Sequence, residues 1–301
     1  MLKHNYSKEC PPDRVVVLGG GGFIGGEIVK ALKTLNISVL SLGRKDIDLL
    51  NPAAENQLLE LLKPSDVFVF AAAIAPCKDL DMLQDNIKIA DVVCRVIKKI
   101  PPSQIVYVSS DAVYRDSLMP LTENSCAEPE SLHGVMHLTR EIALRNCYTG
   151  PLAFVRPTLV YGLNDPHNGY GPNRFRRLAS GGEKIVLFGE GEELRDHVDV
   201  QDVANLISNV ILFQSSGIIN AVSGETVSFR KLAEFATEEF ASSAPIVPSE
   251  RIGNVPHGGY RAFDNSAVNF AFPGFRFKSW REGLHFVHQS QLKKPKLRDL
   301  Q

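Results

Sequence analysis

The chain has 301 residues, of which 44% are hydrophobic and 22% are charged, and its formal net charge is −1. These values are typical of a folded globular protein, and they give no electrostatic reason to expect binding to nucleic acid or to an anionic membrane surface. The five cysteines are scattered and form no CxxC spacing, which argues against a disulfide framework and a structural zinc site.

Strand-like and helix-like segments alternate through the first half of the chain. A β-branched run at residues 14–18 ends in four glycines, and a helical pattern follows as far as Leu35. Further predicted strands lie at 37–42, 66–73, 105–110 and 152–157, and further predicted helices lie at 53–63, 82–99 and within 131–145. This alternation predicts an α/β fold with a doubly wound parallel sheet, in which ligands bind beyond the carboxyl ends of the strands.

The pattern becomes less regular in the second half of the chain. The segment GLNDPHNGYGPNRF, residues 162–175, is rich in glycine, proline and asparagine and predicts a long loop. Later segments predict a smaller lobe that closes over the sheet. We therefore expect a sheet domain over residues 1–165, to which residues 189–222 return, and a small lobe formed by residues 166–188 and 223–301.

Glycines occupy the turn between the first predicted strand and the first predicted helix. The sequence VVVLGGGGFIGGEI contains Gly19, Gly22 and Gly25 in a GxxGxxG spacing, with Phe23 and Ile24 between the last two. A dinucleotide pyrophosphate requires a tight turn, close backbone approach and a helix packed against its strand, and residues without side chains meet all three needs. Because the strand and the helix are both present, the motif predicts a dinucleotide site in preference to a merely structural turn.

With this spacing, the chain resembles the extended short-chain dehydrogenase/reductases, the family of NAD(P)-dependent nucleotide-sugar epimerases and dehydratases. Further segments carry the resemblance, in order, between residues 14 and 290: FAAAIA (70–75), VYVSSDAVY (106–114), FVRPTLVYG (154–162) and LFGEGEELRDHVDVQDVA (187–204). The resemblance implies a Rossmann-type domain that binds the cofactor and a smaller C-terminal lobe that binds the substrate. It also assigns Ala71, Ala72, Ala73 and Asn86 to the cofactor site.

The end of the second predicted strand bears on the choice of cofactor. A carboxylate there would accept hydrogen bonds from the adenosine ribose of NAD, but the sequence SLGRKD has Arg44 and Lys45 following the strand. A guanidinium suits the 2′-phosphate of NADP, so we expect NADP, with NAD as the alternative. The interpretation without a ligand is that Arg44 and Lys45 are a solvated pair on a surface turn. The resemblance implies that Asp48 and Leu49 flank the adenine.

The catalytic motif of the family is altered in this chain. The family uses a serine that orients the substrate oxygen and a YxxxK helix, whose tyrosine is the acid/base and whose lysine bonds the nicotinamide ribose. Ser110 matches the serine, and SLHGVMHLTREIALR (131–145) matches the helix, but His133 stands at the tyrosine position and His137 at the lysine position. Histidine titrates near neutral pH without help, so we predict His133 as the acid/base and His137 as the ribose ligand. Asp111 is either a further proton donor or a turn residue.

Two other interpretations of the histidine pair remain open. The chain could retain the pocket without the chemistry and act as a binding or sensing module. The HxxxH spacing also places both imidazoles on one helix face, as in a metal site. Gly134, however, stands where an HExxH metal site needs its glutamate, so we predict no metal.

The residues around Ser110 narrow the expected reaction. Ala112 occupies the position where the family's dehydratases carry a glutamate, which disfavours water elimination. The resemblance implies that Tyr114, Asn173, Arg195 and Arg261 contact the substrate, with the arginines on the nucleotide phosphates. We therefore expect an NADP(H)-dependent oxidoreductase acting on a nucleotide-linked sugar, for example by 4-keto reduction. The alternatives are an epimerase that retains NAD and a non-catalytic sensor.

The expected partners follow from the same observations. The ligand is a small nucleotide sugar, and the resemblance implies a homodimer. No apolar run has the length of a signal peptide or of a bilayer span, so we expect a cytoplasmic protein.

Overall fold

The computed structural model describes residues 2–293. Met1 lies outside the described residues, and so do residues 294–301, which form the end of the predicted small lobe. The strands are β1 (Arg14–Leu18), β2 (Ser38–Leu42), β3 (Val67–Phe70), β4 (Gln104–Val108), β5 (Leu152–Pro157), β6 (Leu159–Tyr161), β7 (Ile185–Phe188), β8 (Leu194–Asp199), β9 (Gly217–Ala221), β10 (Thr226–Ser228), β11 (Ile246–Ser249) and β12 (Tyr260–Arg261). The α-helices are α1 (Phe23–Thr34), α2 (Ala54–Leu61), α3 (Leu80–Lys99), α4 (Leu132–Cys147), α5 (Pro172–Gly181), α6 (Val200–Leu212), α7 (Phe229–Glu239), α8 (Ser266–Ala271) and α9 (Trp280–Leu292). No helix among the described residues is long and apolar enough to cross a membrane.

Six parallel strands form the central sheet in the order β2-β1-β3-β4-β5-β9. After β1 the chain first adds β2 on one side and then β3 on the other, so the strand order reverses between β1 and β3. At such a reversal the connections leave in opposite directions and open a crevice at the carboxyl ends of the strands. This arrangement confirms the predicted Rossmann-type, doubly wound parallel sheet.

The strands are buried because helices cover both faces of the sheet. Alternate residues of β1 point to opposite faces: Val15 and Val17 pack with α1 and α6, whereas Val16 and Leu18 pack with α2, α3 and α4. The nearly continuous apolar runs of β1, β3 and β4 are typical of strands that are covered on both sides.

The smaller lobe contains the remaining strands and three helices. Its strand β8 pairs with β6, β10 and β12, and β7 pairs with β11. Helices α5, α7 and α9 pack around a second core that includes Phe175, Leu232 and Trp280. Within the segment 189–222, β8 belongs to this small sheet, whereas α6 packs on α1 and β9 pairs with β5 of the central sheet.

The predicted loop over residues 162–175 is wrong for its last four residues. Helix α5 begins at Pro172, whose fixed φ and missing N–H suit the first position of a helix. The proline that suggested a loop is therefore the start of a helix.

We expect the two glycines at the start of α1 to respond differently to alanine. A Cβ at Gly25 would lie 2.1 Å from the carbonyl oxygen of Gly19, whereas a Cβ at Gly26 would lie 3.6 Å from the carbonyl oxygen of Gly20. Gly25→Ala should lower the free energy of unfolding by about 1–3 kcal/mol, because the helix must move away from the turn. Gly26→Ala should leave it equal or raise it by up to about 1 kcal/mol, because alanine favours the helix.

Urea unfolding of the two variants and the parent chain measures both effects. Equal stability of the Gly25 and Gly26 variants would show that α1 does not pack tightly on the glycine turn.

Candidate active site

The glycine turn after β1 lies against the loop that follows β3. Gly19 has a φ of +95°, and a Cβ there would lie only 2.6 Å from the backbone nitrogen of Ala72. Gly22 is the N-cap of α1 and places no side chain over the first-turn amide groups. The turn therefore presents backbone N–H groups and the positive end of the α1 dipole to the crevice, as a pyrophosphate requires.

A cavity of about 610 Å³ opens at this crevice. The predicted cofactor residues that line it are Gly19, Gly22, Arg44, Asp48, Leu49, Ala71, Ala72 and Ala73. The predicted cofactor residues that do not line it are Phe23, Ile24, Gly25, Asn86 and His137. Two of these support its wall from behind: Gly25 allows the close packing of α1, and buried Asn86 exchanges hydrogen bonds of 3.0 and 2.9 Å with the backbone of Ile74.

Two cations lie on the wall of this cavity near the end of β2. Arg44 and Lys45 line it, and neither side chain has an ion-pair partner among residues 2–293. The neighbouring Asp46 carboxylate accepts a hydrogen bond of 2.7 Å from the backbone of Gly43 and shapes the turn. The positive side chains are thus free to meet an anionic group of a ligand.

A second cavity, of about 630 Å³, lies between the sheet and the small lobe. The predicted catalytic and substrate residues that line it are Ser110, Asp111, Tyr114, His133, Asn173, Arg195 and Arg261. Residues 71–74 line the first cavity and residues 75–76 line the second, so one loop serves both. The structure therefore brings the two predicted sites together along the loop after β3.

His133 lies in the first turn of α4, at the wall of the second cavity. Ser131 begins this helix, since its hydroxyl accepts a hydrogen bond of 3.1 Å from the backbone N–H of Gly134. The backbone N–H of Cys77 donates to His133 Nδ1 over 3.4 Å, so the neutral ring carries its proton on Nε2. Burial, and to a smaller extent the charge of Arg140, lower the pKa of His133, while Asp111 acts in the opposite direction.

His137 lies one turn further along α4, below His133. The two rings meet edge to face with centroids 4.7 Å apart, and His137 Nδ1 is 2.7 Å from the hydroxyl oxygen of Tyr107. His137 is buried and lines neither cavity. Burial holds its pKa well below the usual histidine value, and His133 and Arg140 add to this effect.

Ser110 and Asp111 end the loop after β4. The Ser110 hydroxyl accepts a hydrogen bond of 3.1 Å from the backbone N–H of Ala112. The Asp111 carboxylate accepts a hydrogen bond of 2.9 Å from Nε of Arg261. This ion pair favours a role of Asp111 as an anchor for Arg261 over a role as proton donor.

The remaining substrate residues are also held by neighbours. Arg195 pairs with Glu193 at 2.7 Å, and Arg261 pairs with Asp116 at 2.6 Å in addition to Asp111. The Tyr114 hydroxyl donates to Asn220 over 2.7 Å, and Asn173 Oδ1 accepts from the backbone N–H of Gly162 over 3.1 Å. Carboxylates thus fix the positions of both arginines before any ligand arrives.

Sequence reasoning missed the polar residues beneath the histidines. Arg140 is fully buried and donates to the carbonyl oxygens of Asn86 and Ala72, and Arg156 forms a bidentate pair with buried Glu141. The available signal was helical phase, because Arg140 and Glu141 follow His137 by three and four residues and share its buried face.

The described residues contain no group of three or more histidine, cysteine, aspartate or glutamate side chains that could hold a metal ion. The HxxxH pair therefore finds no third ligand of these types within residues 2–293.

The chain is similar to known proteins in sequence and in structure. A Methanocaldococcus jannaschii protein provisionally named a UDP-glucose 4-epimerase is 29% identical over 254 residues, which cover 75% of this chain and 82% of that protein. The UDP-glucose 4-epimerase of Thermus thermophilus, solved in complex with NAD, has a TM-score of 0.83 at 20% identity and covers 93% of this chain and 99% of its own. A GDP-L-fucose synthetase from Naegleria fowleri bound to NADP has a TM-score of 0.81 at 19% identity, with 96% of each chain covered.

The structural similarities, at this low identity, establish the fold. The family model described as "NAD dependent epimerase/dehydratase family" matches residues 15–221, which is more than half of the chain, and confirms the resemblance found in the motifs. The chain belongs to the NAD-dependent epimerase/dehydratase family.

Proposed function

We propose that this chain is an NADP(H)-dependent oxidoreductase that acts on a nucleotide-linked sugar, with His133 in the place of the usual tyrosine. The observation that carries the proposal is the arrangement of the two cavities along one loop. Ser110 and His133 line the cavity next to residues 75–76, and the glycine turn lines the cavity next to residues 71–74. Membership of the family and the names of the similar proteins support the same class of reaction.

The residues of the first cavity fit a nicotinamide dinucleotide. Alanine side chains at Gly19 and Gly25 would collide with neighbouring backbone, so the turn is built for close approach, and α1 directs its free amide groups toward it. Arg44 and Lys45 would hold the 2′-phosphate of NADP. A cofactor bound there would supply hydride transfer to or from a sugar carbon.

The residues of the second cavity would control the oxygen at that carbon. Ser110 would orient it through its hydroxyl, and His133 would donate a hydrogen bond or a proton to it from Nε2. Because burial lowers the pKa of His133, its imidazolium form is scarce at neutral pH and the neutral ring predominates. Proton donation during reduction is thus favoured at low pH, where both ring nitrogens carry a proton. The neutral ring, with its proton on Nε2, offers a hydrogen bond to the oxygen and has no lone pair there to abstract a proton.

The substrate side of the second cavity would receive the nucleotide. Arg195 and Arg261 are buried, and the carboxylates of Glu193 and Asp111 fix their orientation. A diphosphate would add hydrogen bonds to guanidinium groups that are already placed, and Asn173 would lie beside it at the start of α5.

We expect Arg44→Ala to weaken NADPH binding by about 10- to 100-fold, because a charge-assisted contact with the 2′-phosphate is lost. NADH binding should change by less than about threefold, since NADH has no phosphate there. Fluorescence titration of the reduced cofactors measures both constants, and Lys33→Ala, an exposed change in the last turn of α1, is the control. An equal loss for both cofactors would contradict the proposed role of Arg44.

Extraction and identification of the cofactor from the purified protein separates the alternatives. Tightly held NAD would favour the epimerase, and exchangeable NADP would favour the reductase. Binding of both cofactor and nucleotide sugar without turnover would leave only the hypothesis of a non-catalytic sensor.

The homodimer stays a prediction, and light scattering tests it by giving the mass of the protein in solution.

We expect the rate of keto-sugar reduction to fall as the pH rises through a pKa below 6.5, since the imidazolium form of His133 is the proton donor. His133→Asn should slow the reaction by about 10²- to 10⁴-fold and abolish the fall in rate with rising pH. Single-turnover measurements with NADPH over a range of pH give both quantities.

The matched control for this experiment is His167→Asn, which removes a second imidazole from the wall of the same cavity. It should change the rate by less than about threefold and preserve the pH dependence. A large loss in this variant together with full activity of His133→Asn would assign the acid to the loop of His167 instead.

A further inference from the structure

The hydroxyl of Tyr107 is buried between the sheet and α4, where it meets His137. Tyr107 lies on β4 with 1% of its surface exposed, and its hydroxyl oxygen is 2.7 Å from His137 Nδ1. No other acceptor for the proton of this hydroxyl lies within residues 2–293 at hydrogen-bonding geometry. A buried hydroxyl must donate its single proton to an acceptor, and the acceptor within reach is His137 Nδ1.

The direction of this hydrogen bond determines the form of His137. A neutral imidazole carries one proton, and an Nδ1 that accepts from Tyr107 leaves that proton on Nε2. If Nδ1 carried the proton instead, the Tyr107 hydroxyl would be buried without an acceptor, which costs more than the net value of one hydrogen bond. His137 Nε2 itself has no hydrogen-bond partner among the described residues and is not one of their fully buried polar atoms, so its N–H can be reached by a ligand although the residue lines neither cavity.

Burial keeps the ring of His137 neutral, and His133 and then Arg140 add to this effect. This guanidinium is fully buried, lies 5.0 Å from the ring centre of Phe70, and donates to three neutral oxygens, namely Asn86 O at 2.8 Å, Asn86 Oδ1 at 2.8 Å and Ala72 O at 2.8 Å. It has no carboxylate partner within residues 2–293, so its charge is not cancelled locally. A second positive charge three residues away on the same helix is therefore unfavourable.

The other charged or titratable groups around this site leave the conclusion unchanged. From α4, His133 meets His137 edge to face and is itself held neutral by burial, and Glu141 forms an ion pair with Arg156 of β5. From β4, Tyr107 has its pKa raised to about 12 by burial, so its hydroxyl keeps its proton.

We propose that Tyr107 is a positioning residue that fixes His137 as a neutral imidazole with its proton on Nε2. His137 then offers a hydrogen-bond donor from the helix position at which the family resemblance places the ribose-binding lysine. The use of that donor on the cofactor ribose depends on the proposed function, whereas the protonation state of His137 does not. An oriented N–H then stands at that position, and the positive charge nearby is that of Arg140.

Nitrogen NMR of protein labelled with ¹⁵N in histidine tests the assignment without a ligand. The signals of His137 are identified by their absence in a His137→Asn variant. We expect a protonated Nε2 and an unprotonated, hydrogen-bonded Nδ1 that do not titrate between pH 5 and pH 8. A proton on Nδ1, or an imidazolium at neutral pH, would overturn the proposal.

The Tyr107→Phe variant removes only the hydroxyl. We expect the Nδ1 signal of His137 to move, the tautomer to become mixed, and NADPH binding to weaken by about 3- to 10-fold. The matched control is Tyr148→Phe, which removes another buried hydroxyl, one that donates to Pro102 over 2.7 Å, and should change neither readout. Unchanged His137 signals in Tyr107→Phe would refute the positioning role.

Two readouts separate this proposal from the proposed function. If the parent protein binds no NADPH, the proposed function fails, while the wild-type NMR spectrum still decides the tautomer. If Tyr107→Phe does not fold, the same wild-type spectrum remains decisive.

Discussion

The close approach of two backbone segments at the carboxyl ends of β1 and β3 is the constraint on which the rest of the site depends. The strand order reverses there, so the glycine turn and the alanine loop leave in different directions yet touch at Gly19 and Ala72. No side chain fits between them, which leaves backbone N–H groups and a helix dipole to face the ligand. The same loop continues to Cys77, whose N–H contacts His133. One constraint thus places both the wall of the candidate cofactor cavity and helix α4.

The two histidines of α4 are neutral side chains that lie above a buried cation. A tyrosine and lysine pair combines a weak acid with a nearby cation, whereas a histidine pair in a buried place is neutral and carries no such cation. Arg140 supplies a permanent positive charge from the same helix, and it also ties that helix to Asn86 and to the alanine loop. The positive charge at this place therefore acts from beneath the histidines.

Several features of the site were predictable from local sequence because they are local in origin. The glycine spacing, the apolar strands and the positions of Ser110, His133, Arg195 and Arg261 depend on short motifs. The structure brings these motifs to the two cavities that the loop after β3 borders. The burial of His137 beneath His133, and the carboxylates that hold Arg195 and Arg261, were not predictable in this way. Asp116 and Arg261 are distant in sequence, and only the folded chain brings their charges together.

The sequence by itself determined the family and the parallel sheet, because strand periodicity, glycine spacing and motif order are properties of neighbouring residues. The tertiary structure alone decided which nitrogen of each histidine carries the proton. Those protons depend on Cys77 and Tyr107, which approach α4 from other elements, and on a buried guanidinium whose effect is strong only where water is excluded. Tautomer and charge are set by three-dimensional neighbours, and a linear pattern does not contain them.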